Sequence, residues 1–172
     1  MEPFVKGMKA LNLGCGDRLL DGYINVDKFN KKADVIADAM VLPFKNNSLD
    51  IVDTSHVIEH FGYYEGWECI KEWNRVLKIG GKLCIEAPEL KSLCRRFIEL
   101  VDVNEILDCC TLFFGLDFIP GQAHKFVYTE YQLKSTMEMF GFKIIDIDKG
   151  YRYIGLEEVT QRVIGEKVRE VG

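Results

Sequence analysis

The 172-residue sequence has no apolar run of the roughly 20 residues that a membrane span requires, and its first stretch, MEPFVKGMKALNLG, contains no secretory hydrophobic region. Positive charge is in deficit. Twenty-two Lys and Arg face 27 Asp and Glu, a formal net charge of −5, so nothing draws the chain to a phosphate backbone and nucleic acid is not an expected partner. The six cysteines (Cys15, Cys69, Cys84, Cys94, Cys109, Cys110) show no CxxC spacing. Several lie inside apolar runs and read as reduced core residues of a cytoplasmic protein. Repeats, low-complexity stretches and linkers are missing, and histidine is scarce: His56, His60 and His124 are all there is. What is present is globular: 48% hydrophobic and 28% charged residues, expected to fold as one domain over residues 1–172.

Short apolar runs at 8–13, 23–27, 34–38, 49–55 and 82–87 read as strands, most of them without a polar face. Between them, Trp67, Ile70, Trp73, Val76 and Leu77 recur at helical spacing over 64–78, with Gly80–Gly81 as the stop. A second helix is expected over 90–107, where Leu90, Leu93, Cys94, Phe97, Ile98 and Val101 share a face. Thr129 and Gln132 form a capping box for a helix to Phe140, closed by Gly141. A strand at 142–148 and a turn with a closing strand over 151–168 complete the chain. The expected fold class is α/β: a Rossmann-like, doubly wound sheet, mostly parallel with an antiparallel closing strand, with helices on both faces. Residues 109–128, rich in Phe and Gly and without a period, read as a lid-like insertion.

Sheets of this kind bind ligands beyond the carboxyl ends of their strands. The first strand ends in Gly14-Cys15-Gly16, where glycines let the backbone turn tightly and offer N–H groups to an anion. The second ends in Asp27, placed to accept ribose hydroxyls, and the third in Asp38-Ala39 with Leu42-Pro43-Phe44 nearby, a carboxylate beside an apolar patch that suits adenine. The fourth ends in Ser55-His56. In this order at successive strand ends, these residues describe a nucleoside site.

The segments KALNLGCG, GYINVD, ADVIADAMVLPF, NNSLDIVDTSHVIEHF and EWNRVLKIGGKLCIEAP resemble the ordered motifs of the type-11 class I methyltransferases. The resemblance is close over 8–88 and looser over 122–148. It implies S-adenosylmethionine as cofactor, with the Gly14-Cys15-Gly16 backbone at its methionine part, Asp27 at the ribose and Asp38 at the adenine. The N–H groups of Ala39 and Met40 would assist at the base, and Ser55 or His56 would lie near the methionine end. Two departures stand out. Arg18 occupies the place of the family's third glycine, and Asp27 follows Gly16 by eleven positions, against roughly 20 from motif to acidic residue in dinucleotide-binding folds. The first helix is therefore expected to be a turn or little more. A shortened first helix also occurs in small relatives linked to glycan or surface-polymer assembly. The chain also starts almost directly on its first strand, without the N-terminal helices that roof the cofactor in the family.

Methyl transfer from a sulfonium asks an enzyme chiefly for alignment and desolvation, with a base only where the acceptor arrives protonated. His124, in GQAHKFVYT, is the preferred base, with His60 and His56 as the other candidates. Phe113, Phe114, Phe118, Phe126 and Tyr128 are candidates for an acceptor pocket, with core packing the expected job of at least half. His56-Val57-Ile58-Glu59-His60 also spells the HxxEH pattern of inverted zinc peptidases. Zinc needs both histidines on one helical face, and here the motif starts directly after a strand, so no metal is expected. The competing readings are an S-adenosylmethionine-binding subunit without activity of its own and, last, a zinc hydrolase. The expected partner is a small-molecule or glycan acceptor, with homodimerisation open.

Overall fold

The structure is a computed structural model and describes residues 7–149 and 159–171. The short apolar runs become strands β1 (Ala10–Leu13), β2 (Tyr23–Asp27), β3 (Val35–Ile36), β4 (Leu49–Ser55), β5 (Leu77–Pro88), β6 (Phe142–Lys149) and β7 (Thr160–Lys167). Helices α1 (Tyr63–Val76), α2 (Leu90–Glu99), α3 (Val103–Phe114) and α4 (Glu130–Met139) connect them. The sheet order is β3-β2-β1-β4-β5-β7-β6. The first five strands run parallel, and β7 runs antiparallel to both β5 and β6, which is the Rossmann-like sheet with an antiparallel closing strand that the sequence leads us to expect. Strand order reverses between β1 and β4, so the crevice beyond their carboxyl ends is where a ligand belongs.

Alternation of side chains gives the sheet two unlike faces. One carries Leu11, Leu13, Val26, Val52, Leu83, Ile85 and Val163, which form a single core with Ile70, Trp73 and Val76 of α1 and Leu133 and Met137 of α4. On the other face Asn12 stands opposite both Asn25 and Asp53. Asn12 Nδ2 donates to Asn25 Oδ1 (2.9 Å) and to the Arg18 carbonyl (2.8 Å), and the Leu20 N–H donates to Asn25 Oδ1 (2.8 Å). Loop residues 18–20 thus satisfy the buried amides where a first helix would lie.

Helices were expected on both faces. Among the described residues α1 and α4 both pack on the apolar face, because the β1–β2 and β2–β3 crossovers, whose right-handed path leads across the other face, are loops. Three boundaries also differ. Helix α1 ends at Val76, and Gly80 and Gly81 lie inside β5, where the pairing with β4 slips. The helix expected over 90–107 is two helices: the chain leaves α2 at buried Leu100 and restarts at Asp102, whose carboxylate caps α3 by accepting from the N–H groups of Asn104 (2.9 Å) and Glu105 (3.2 Å). Residues 109–114 are therefore helical, and the irregular stretch shrinks to 115–128. Of the expected 151–168 turn and closing strand, 151–158 lie outside the described residues. The Thr129–Gln132 capping box is present. No helix among the described residues is long and apolar enough to cross a membrane.

Candidate active site

A cavity of about 550 Å³ opens at the carboxyl ends of β1, β2 and β4, lined by Gly14, Gly16, Asp27, Phe29, Asp38, Ala39, His56, His60 and, from the 115–128 loop, Gly121–Ala123 and Lys125 among others. Gly14 adopts φ +67°, and a Cβ there would strike Val57 Cγ2 at 2.2 Å, so only glycine lets the β1 and β4 ends approach this closely. The N–H groups of this turn face inward. Those of Gly14 and Cys15 both donate to the Val26 carbonyl (2.8 and 3.0 Å), and that of Gly16 donates to Asp27 Oδ2 (2.9 Å). The expected anion cradle is thus spent on β2, and Cys15 is buried outside the lining.

Asp27 Oδ1 accepts from the N–H groups of Phe29 (2.7 Å) and Asn30 (2.9 Å). Burial pushes its carboxyl up, but the N–H groups of Asn30, Phe29 and Gly16 outweigh it and hold the group below the usual carboxylate value. An ionised carboxylate offers about four acceptor positions. Three are filled, and one on Oδ2 is left for a ligand hydroxyl. Asp38 Oδ2 accepts from Lys28 Nζ (2.7 Å), which lowers its pKa, while Oδ1 accepts from the Met40 N–H (3.0 Å). Ala39 lines the cavity, with its carbonyl taken by Trp73 Nε1 (3.0 Å). Met40 and Ser55 do not line it: the Met40 N–H serves Asp38, and Ser55 Oγ lies 3.2 Å from Glu86 Oε1.

The three histidines gather around one buried carboxylate. His56 ends β4 in a left-handed conformation (φ +56°), with Nδ1 2.9 Å from Glu59 Oε1. His60 lies in a single 3-10 turn, Ile58–His60, and its Nδ1–H donates to the Ala123 carbonyl (3.2 Å). His124 donates from Nδ1 to the Leu112 carbonyl (2.8 Å) and packs edge-on against His60 with ring centres 4.9 Å apart. Burial pushes the His124 ring below the ordinary histidine range, against the pull of Glu59. His124 stands behind His60 and does not line the cavity, whereas His56 and His60 do. The helical face that an HxxEH zinc site uses is not formed, since α1 begins only at Tyr63. Among the described residues no three His, Cys, Asp or Glu groups are arranged to hold a metal.

The loop after α3 closes on itself through a Gly115–Ala123 bridge, and the N–H groups of Lys125 (2.8 Å) and Phe126 (3.2 Å) fasten it to the Glu59 carbonyl. Of the five candidate aromatics none lines the cavity, and at least half take the core role expected of them. Tyr128 and Phe126 belong to the main core, Phe113 to a small second core, and Phe114 and Phe118 are exposed. The aromatics at the cavity are instead Phe29 and Phe61, two and one positions after Asp27 and His60. Their place just past each strand-end motif is the signal that marks them.

Residues 19–85 match the family model of a methyltransferase domain, the type-11 family. No curated protein matches the chain. Solved structures share its fold. A methyltransferase from Archaeoglobus fulgidus described as SAM-dependent is 18% identical, over 94% of this chain and 87% of its own, with a TM-score of 0.63. One from Thermotoga maritima, described as a SAM-dependent methyltransferase and possible histamine N-methyltransferase, is 18% identical over 95% and 84% (TM-score 0.66). A third, from Burkholderia thailandensis, was solved as a 1,6-didemethyltoxoflavin-N1-methyltransferase with that compound and S-adenosylhomocysteine bound, and is 15% identical over 94% and 72% (TM-score 0.64). At these identities the likeness is one of fold. The family model covers residues 19–85, and the solved structures share the Rossmann-like fold over nearly the whole chain.

Proposed function

We propose that the protein transfers the methyl group of S-adenosylmethionine to a small-molecule, sugar or glycan acceptor, as a transferase of class EC 2.1.1 acting in the cytoplasm. The whole of residues 1–172 is read as one such domain, with the 115–128 loop as its lid. The observation that carries this reading is the single cavity that gathers Gly14, Gly16, Asp27, Asp38, Ala39 and His56 from four successive strand ends beneath one loop. Its volume, about 550 Å³, is that of a small-molecule site.

The residues present fit the cofactor. Asp27 keeps one acceptor position for a ribose hydroxyl. Asp38 lies between Ala37 and Ala39, and its pair with Lys28 is half exposed, so a base amino group can share that carboxylate at little cost. When bound, the sulfonium supplies an electrophilic methyl carbon. The chain holds the nucleoside at Asp27 and Asp38, keeps the turn closed through Gly14 and Gly16, and excludes water with Gly121–Ala123 and Lys125. The Met40 N–H donates to Asp38, while Cys15 and Ser55 are bonded away from the cavity, to the Val26 carbonyl and to Glu86. A net charge of −5 supports a small acceptor over a nucleic acid.

Mass spectrometry of the purified protein should find S-adenosylmethionine or its demethylated product, and calorimetry should find one site per chain. Absence of both would sink the reading. Binding without turnover on any acceptor would identify a cofactor-binding subunit instead.

A further inference from the structure

His60 stands on the side of the cavity that the nucleoside residues leave open. Sheet order runs β3-β2-β1-β4, with Asp38 just after β3, Asp27 at the end of β2 and the Gly14–Gly16 turn after β1. A ligand whose base and ribose lie at Asp38 and Asp27 therefore points its other end across the glycine turn, toward the end of β4. There the chain enters the 3-10 turn Ile58–His60, and His60 and Phe61 line the cavity beneath the lid.

The nitrogens of the His60 ring have unlike surroundings. Nδ1 lies 3.2 Å from the Ala123 carbonyl of the lid. A carbonyl only accepts, so Nδ1 carries the proton and the lone pair of the neutral ring sits on Nε2. That atom stays accessible and has no hydrogen-bond partner among the described residues, whereas Nε2 of His56 is enclosed and lies 4.0 Å from Glu86 Oε1. His124 packs edge-on behind His60, with ring centres 4.9 Å apart, and does not line the cavity. A positive charge formed on His60 also has a counter-charge at hand. Glu59 is fully buried, and burial pushes its carboxyl up, yet its bond with His56 and the charges of His56, His124 and His60 hold it below the usual range.

We propose that His60 is the base of this site, its free nitrogen fixed by the lid carbonyl of Ala123, and that the acceptor is a hydroxyl group. The inference rests on the methyl-transfer reading above. A free amine brings its own lone pair, whereas an alcohol is a poor nucleophile until its proton is shared with a base. The carbon–sulfur bond of the sulfonium breaks as the acceptor oxygen–carbon bond forms. The hydroxyl proton passes to Nε2 of His60, leaving a methyl ether, a neutral thioether and an imidazolium balanced by Glu59. The imidazolium then returns its proton to water. Closure of the lid and readiness of the base are thus one event, because the contact that fastens Ala123 also keeps the lone pair on Nε2.

The test separates a base from a mere fastener of the lid. His60→Asn keeps an N–H donor where Nδ1 stood, so the Ala123 contact survives, and it removes Nε2. Calorimetry with S-adenosylmethionine should give the same affinity for wild type and His60→Asn within about twofold. With tritiated S-adenosylmethionine, wild type should label a hydroxyl probe (methyl glucoside, glycerol 3-phosphate or catechol) and not histamine or putrescine. His60→Asn should lower kcat on the labelled probe by roughly 10²–10⁴-fold with KM nearly unchanged. Diethyl pyrocarbonate, which acylates accessible neutral imidazoles, gives a readout that needs no acceptor. Peptide mapping should find His60 modified well before His56, and S-adenosylhomocysteine should slow that modification at least about fivefold. Undiminished kcat in His60→Asn would leave His60 a fastener and overturn the proposal. Label on amines alone, label on no hydroxyl, or modification of His60 indifferent to S-adenosylhomocysteine would overturn it too. Should His60→Asn fail to fold, the wild-type labelling and modification results decide. A wild-type protein that binds no S-adenosylmethionine would instead sink the methyl-transfer reading beneath it.

Discussion

Asp27 joins three stretches of chain by accepting N–H groups from Gly16, Phe29 and Asn30, so its loss acts on the fold as well as on the ligand. Asp27→Ala should weaken S-adenosylmethionine binding by about 1–3 kcal/mol and also lower the Tm of the ligand-free protein by roughly 2–10 °C. Calorimetry and thermal melts separate the two, and an unchanged melt would show that the three bonds contribute nothing to the fold. The pH dependence has a definite sign. The folded-state value is held below the ordinary 3.8, so the contribution is complete above that value and is lost as pH falls through the lower one. Melts of wild type and Asp27→Ala should therefore converge in acid. Asp27 and Asp38 were legible because each ends a β-branched run. Glu59 was not, since one dimension shows it only as the fourth letter of HVIEH and gives no hint that the strand end and the lid bury it. His124 misled for the converse reason: a histidine in a loop looks available until the loop turns its ring inward against His60.

Among the elements, the divided α2–α3 pair shows how a continuous periodic pattern hides a break. Leu90, Leu93 and Phe97 keep helical spacing into Leu100, and only Asp102 with Glu105 three positions on marks a new start. That Asp-x-x-Glu signal was there to be read. Asp102→Ala should cost about 1 kcal/mol and speed amide exchange in α3 while leaving α4 protected. Hydrogen exchange by mass spectrometry checks this, and uniform change in both helices would show that the cap matters only to the whole fold. The strands were the easier part, because Val, Ile and Leu runs bounded by Gly and Asp specify them locally. The span of β5 through Gly80–Gly81 could not be read, since it depends on the slipped pairing with β4.

At the scale of the molecule, the sheet is organised from one side. Two helices cover the apolar face, and loops replace the helices that the β1–β2 and β2–β3 crossovers could have held. The legible part was the βαβ alternation that sets strand order. The face left to loops was legible only as the short spacing from Gly16 to Asp27. Lys167 ties the far half together: its Nζ donates to Asn47 Oδ1 and to the carbonyls of Asn74 and Leu77, each at 2.8 Å, with the side chain almost fully buried. Lys167→Met keeps the length but leaves the two carbonyls unanswered, and should cost about 2–4 kcal/mol, or roughly 5–15 °C in Tm. A melt within 2 °C of wild type, on the order expected for less than 1 kcal/mol, would show that water replaces the ammonium.

On the methyl-transfer reading, the contact between Gly121 and Phe29 should set how long a bound nucleoside stays. A Cβ at Gly121 would lie 2.5 Å from the Phe29 ring, so the lid meets the β2 loop with no room to spare above the cavity mouth. On that reading departure, more than arrival, is the event this seam should govern. Gly121→Leu must hold the seam apart, and stopped-flow release of S-adenosylhomocysteine should quicken by about tenfold, with turnover rising wherever release is the slow step. An unaltered release rate would mean that residence time is set elsewhere, by the hold on the ribose and base alone.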